Sequence, residues 1–146
     1  MGGIILDKKL MYFANMNTIL YNLFNFHWNV TGGLFLTLHK LYQEQYEIMF
    51  LEIDRFAELL KTKDIYPLTC LQEIYEAASI KTMESKDWPA KKTLQILMEQ
   101  YIHMNQLAIE CAKVAEEKGE LAFMDFFTEQ SEFFGKYLYF FRQFLK

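Results

Sequence analysis

His27 and His39 stand twelve residues apart, and Asp54 and Glu58 follow at a spacing of four. Together they form a donor set for a redox metal. Carboxylates hold a hard, charged ferrous or ferric ion, and imidazoles suit the softer ferrous state. On a helix turning about 100° per residue, His39, Gln43, Asp54 and Glu58 fall at about 0°, 40°, 60° and 100°, on one side. Yet His39 and Glu58 lie roughly 28 Å apart along the axis, at about 1.5 Å per residue. One copy cannot clamp one ion with both.

An antiparallel second copy, related by a twofold axis, removes the difficulty. If the helices cross midway between Ile48 and Met49, His39 comes level with the partner's Glu58, and Gln43 with the partner's Asp54. His27, near the end of the preceding helix, approaches the same height. The spacing therefore suggests a C2 interface carrying two identical metal sites. Histidines in helical bundles also serve as hydrogen-bonded core or surface residues, and an Asp–Glu pair as a solvated face, so the residues alone leave both readings open. A metal site inside one four-helix bundle would call for Glu-x-x-His motifs on two helices. The chain has none, since Glu99 and His103 are four apart.

These residues need long helices to position them. Residues 7–29 read as a helix with Leu10, Phe13, Leu20, Phe24 and His27 towards one side, and Thr31-Gly32-Gly33 breaks it. A second helix over 37–63 is stopped by Tyr66-Pro67. Residues 68–79 supply a short connecting helix, expected to lie across the ends of the longer ones. Asp87-Trp88-Pro89 predicts a helix start, with Asp87 as the cap and Pro89 in the first turn. That helix runs to Lys118, where Gly119 invites a stop. A fourth helix fills the remainder, and its aromatics, Phe127, Phe134, Tyr137, Phe141 and Phe144 among them, predict heavy burial. The expected fold is all-α: a four-helix bundle with a short extra helix in the long central connection, as one domain over 1–146.

Composition agrees. With 52% hydrophobic and 23% charged residues, 2 prolines and 6 glycines, a disordered chain and a many-stranded sheet are both poor fits. No apolar run is long enough to span a bilayer, and no signal-peptide pattern opens the chain. Met1-Gly2-Gly3 resembles a myristoylation start, but Leu6 stands where Ser or Thr is favoured, so an ordinary N-terminus is expected. Cys70 and Cys111 form no metal-ligand doublet and suit a reducing compartment. A net charge of -4 gives no general electrostatic reason to bind nucleic acid.

The segment FHWNVTG, continuing through LHKLYQEQY to EIDRFAE, resembles the Dps family, the ferritin-like mini-ferritins called DNA-protecting proteins from starved cells. YPLTCLQEIYEAASIK and FFGKYLYFFRQFL extend the resemblance over nearly the whole chain. It implies a ferritin-like fold, a hollow shell of twelve subunits built from twofold dimers, and ferroxidase centres between twofold-related subunits. The family's two histidines match His27 and His39, its paired carboxylates match Asp54 and Glu58, and its tryptophan beside the centre matches Trp28. That tryptophan is thought to take up oxidising equivalents; from sequence alone, core packing explains it equally well.

One position departs from the pattern. The carboxylate expected four residues after His39 is Gln43, whose neutral carbonyl ligates only weakly and lacks the charge to retain a second iron. Of the nearby acids Glu44 and Glu47, only Glu47 shares the angular range, at about 80°. Lys40 stands where the family often has an acid. The implied activity is Fe(II) oxidation, preferably by hydrogen peroxide, then storage of ferric mineral in an acidic cavity, in a cytoplasmic protein acting against oxidative stress. Glu120, Asp125 and the weaker Glu117 match pore positions, although an ordinary acidic turn explains them equally. Lys8 and Lys9 make no lysine-rich tail, so DNA affinity is expected to be weak. Alternative functions are a metal-buffering shell with slow oxidation, a structural shell, and a DNA-compacting protein.

Overall fold

The computed structural model describes residues 7–146, so the expectation about the Met1-Gly2-Gly3 start lies outside it. Asp7 opens α1 (Lys8–Asn29), its carboxylate accepting the Lys9 backbone N–H at 2.8 Å. The helix ends where Val30 turns extended. Val30–Thr31 forms a two-residue strand, β1, and Gly32 follows at φ 100°, a left-handed turn that suits glycine. Next comes α2 (Phe35–Lys61), two residues earlier at each end than the sequence pattern suggests. Its stop is not Tyr66-Pro67. Asp64 takes φ 55°, while the Ile65 N–H bonds the Leu60 carbonyl and the Asp64 N–H bonds that of Lys61, closing the last turn in a Schellman motif. Gly119, at φ 71°, closes α4 in the same way, as expected.

The central connection carries α3 (Leu71–Ala77), then β2 (Trp88–Pro89), before α4 (Ala90–Glu117) and α5 (Leu121–Leu145). β1 and β2 pair in parallel, Val30 with Trp88 and Thr31 with Pro89. This pairing corrects the predicted start of α4: Pro89 itself is the N-cap, with extended backbone and no side-chain cap, and Asp87 does not cap. The ladder holds Trp88 and Pro89 extended until Ala90. Nor does α3 lie across the helix ends. It sits on the flank of α1, with Ala77 and Ala78 against Ala14.

Four helices, α1, α2, α4 and α5, enclose the core. Tyr12 packs edge-on against Phe56, Phe126 and Phe127, and its hydroxyl donates to Gln130 at 2.8 Å. Tyr101 donates to Gln45 at 2.6 Å, and Tyr42 bonds Thr93 at 2.7 Å. Each of these three buried phenols thus keeps a polar partner inside a largely aromatic core. Burial pushes the Tyr12, Tyr42 and Tyr101 hydroxyls up from their usual range, so they stay neutral.

Three asparagines on α1 hold the strap that joins α3 to β2. Asn15 accepts from the backbone N–H groups of Ser79 and Ile80 and donates to the Ser79 hydroxyl at 2.9 Å. Asn22 accepts from the Met83 N–H at 2.8 Å and donates to the Lys81 carbonyl at 3.0 Å. Asn25 donates to the Met83 and Glu84 carbonyls. The strap thereby runs along α1 and delivers Trp88 to Val30. Cys70, exposed, and Cys111, buried, are both free thiols. Among the described residues, no helix is long and apolar enough to cross a membrane.

Candidate metal centre

His27 sits at the last turn of α1 and His39 in the second turn of α2, so the turn between them decides how the imidazoles meet. They meet face to face. The rings stack with centroids 3.8 Å apart and planes 10° from parallel. The His27 Nδ1–H donates to the His39 carbonyl, and the His39 Nδ1–H donates to the His27 carbonyl at 2.7 Å. A carbonyl only accepts, so each Nδ1 is the donor, and Nε2 is the nitrogen that each ring leaves for a metal. Orienting hydrogen bonds of this kind support metal-ligating histidines. Tyr46 stands edge-on to His27 at 5.2 Å, and Phe35 stacks on His39 at 5.0 Å. Burial pushes the His27 imidazole below its ordinary value of 6.5, while its bond to the His39 backbone acts the other way. It is therefore neutral, and ready to ligate, at neutral pH.

The carboxylates lie further along α2. Asp54 and Glu58 are exposed. Asp54 lines a groove of ≈ 640 Å³ between α1, α2 and the segment around α3, beside Tyr21, Phe50 and Tyr75. Among the described residues, no three of His, Cys, Asp and Glu gather into a metal-binding group within one chain. The histidines are brought together; the acids are not joined to them.

Gln43 donates through its side-chain amide to Glu47 at 2.9 Å. Glu47 lies close enough to His27 for its charge to favour the protonated ring. Lys40 and Glu44 line a different groove, against Phe140 and Phe144 of α5. Trp28 is 65% exposed and stacks on Phe24 with centroids 5.5 Å apart, so core packing does not account for it. Glu120 is half-buried and reaches Lys9 at 3.8 Å, whereas Asp125 and Glu117 are exposed. Phe35 and Tyr46 escaped the sequence reading, although both stand at helical spacing from His39, four before and seven after.

The ferritin-like domain family matches residues 11–146. The DNA protection during starvation protein of Helicobacter pylori is 26% identical over 117 residues, covering 80% of this chain and 81% of that protein. Among solved structures, a Dps protein from Bacillus brevis is 26% identical with a TM-score of 0.91, covering 95% of this chain and 93% of that one. Dps from Staphylococcus aureus has the same fold, at 23% identity and a TM-score of 0.91, with 95% and 93% of the two chains covered.

Proposed function

Because the chain belongs to the ferritin-like family, within its Dps branch, we propose that it oxidises Fe(II), preferentially with hydrogen peroxide, and stores the ferric product in a hollow homododecamer. The observation that carries this reading is the reciprocal lock on His27 and His39, which ties up both Nδ1 atoms and leaves the two neighbouring Nε2 atoms as the ones available to a metal. The substrate iron binds between twofold-related subunits, held by His27 and His39 of one chain and the partner's Asp54 and Glu58. Exposure of those carboxylates on a surface shared with Phe50 and Leu51, both well exposed, supports a shared site. Gln43 adds a weak neutral contact. Trp28, beside the centre, takes up an oxidising equivalent when too few electrons arrive from iron.

Two ferrous ions each give one electron to one peroxide molecule. Its O–O bond breaks, and two protons complete two waters. Taking the electrons as a pair avoids releasing a hydroxyl radical. His27 and His39 hold the ferrous state, and the carboxylates stabilise the charge gained on oxidation. A cytoplasmic setting belongs to the same reading, consistent with two free thiols.

Stopped-flow mixing of anaerobic, Fe(II)-loaded protein with peroxide or with oxygen tests the proposal. Rapid, saturable oxidation, faster with peroxide, is expected, and it should collapse in an Asp54→Ala/Glu58→Ala double variant. An unchanged rate in that variant would remove these residues from the centre. One observation favours a second reading, a metal-buffering shell: Gln43 supplies no charge and its amide is engaged with Glu47. Tight iron binding with oxidation no faster than in buffer would select it.

A further inference from the structure

We propose that Tyr46 is a redox residue of the centre: it gives up the first protein electron when iron supplies too few, and Phe24 links it to Trp28. This deepens the reading of the shared centre given above and rests on it. Tyr46 follows His39 by seven residues, about two helical turns, so both stand on one side of α2. Its ring meets His27 edge-on, with centroids 5.2 Å apart. Among the described residues, the rings packed against the two imidazoles are each other, Phe35 and Tyr46. Of these only the phenol is readily oxidised. Trp28 neighbours His27 in sequence, yet its ring packs on Phe24 instead, with centroids 5.5 Å apart and planes 17° from parallel. Phe24 in turn meets Tyr46 edge-on at 4.8 Å. The contacts run from His27 through Tyr46 and Phe24 to Trp28, each within ordinary aromatic range.

The need arises when peroxide meets a centre holding a single Fe(II). Cleavage of the O–O bond takes two electrons. Iron gives one and becomes Fe(III); the Tyr46 phenol gives the other, together with its proton. With one more proton from solvent, both peroxide oxygens leave as water, and Tyr46 remains as a phenoxyl radical. Trp28 then passes an electron and its indole N–H proton to Tyr46, which becomes a phenol again. The radical thereby moves off the ring that touches His27, and the imidazoles that must receive the next iron are spared. Phe24 is not oxidised; it fills the gap between the two oxidisable rings. Its place is set by helical spacing, since Phe24 and Trp28 stand four apart on α1.

Freeze-quenched electron paramagnetic resonance tests the assignment, on assembled protein given one Fe(II) per centre and then peroxide. Ring-deuterated tyrosine identifies a phenoxyl signal by its narrowing, and peptide mass spectrometry reports oxidation of Trp28. The wild type is expected to show an early phenoxyl signal that decays as Trp28 is oxidised. Tyr46→Phe keeps the ring and its packing, and should lose both the early signal and most of the Trp28 oxidation. Trp28→Phe should keep the signal and prolong it. Phe24→Leu should also prolong it while Trp28 oxidation falls; Trp28 oxidised as in the wild type would remove Phe24 from the route. Asp54→Ala/Glu58→Ala should lose rapid iron oxidation and the radical together. Iron oxidation unchanged in that double variant overturns the shared centre, and Tyr46 with it. Saturable iron oxidation in the wild type without an early phenoxyl signal, or with one that survives in Tyr46→Phe, overturns the role of Tyr46 alone.

Discussion

At His27 burial works against protonation. Burial holds this imidazole below its ordinary value of 6.5, so the folded chain stays unprotonated where the unfolded chain already binds a proton. Stability from the neutral ring is complete above 6.5 and is lost as the pH falls through the lower, folded value. Thermal unfolding of the metal-free protein between about pH 7.5 and pH 5.5 should fall more steeply for the wild type than for His27→Gln. Parallel slopes would show that another group dominates. At Gln43 the expected direction is gain: Gln43→Asp adds a negative charge to the proposed centre, and metal titration should show tighter or more complete occupancy. The ligand types and the Gln43–Glu47 spacing were legible in the sequence, because a helix fixes which residues share a side. The stacking of His27 on His39 was not, since it depends on how the Val30–Gly33 turn brings two helices together. Trp28 had two readings that only exposure could separate.

The elements divide by how local their causes are. Periodicity sufficed for α1, α2, α4 and α5, because apolar spacing and a capping residue such as Asp7 act within a few turns. The starts and stops that moved have distant or unusual causes. Pro89 is held extended by Val30 and Thr31, and α2 closes on a left-handed aspartate where glycine is the usual signal. Asn15, Asn22 and Asn25 read as polar positions on an amphipathic helix, and nothing in a single sequence tells which loop they hold. Their role gives a prediction. Asn15→Ala strips the partner from the Ser79 and Ile80 backbone N–H groups and should cost about 2 kcal/mol in urea unfolding. It should also speed amide exchange over the strap, while the His27–His39 pair keeps its geometry.

Over the whole molecule, Tyr21, Phe24 and Trp28 of α1 adjoin Phe50 and Leu51 of α2 and Tyr75 of α3 in one largely exposed aromatic and aliphatic surface. A surface of this kind is unusual on a monomer and suits burial against a second copy. Phe50→Glu, at the proposed crossing, should therefore release smaller species in light scattering coupled to size-exclusion chromatography, with helical content unchanged; an intact assembly would move the twofold contact elsewhere. Twelve chains at -4 each would carry a formal charge of -48, so low-salt gel shifts should show little retardation of DNA without added divalent metal. The histidine clasp also has a consequence in time. Its two hydrogen bonds join residues only twelve apart, whereas Val30 must wait for Trp88 to be made and laid down along the strap. Short closures cost less chain entropy and form sooner. During synthesis, the His27–His39 clasp can thus close while α4 and α5 are still to come.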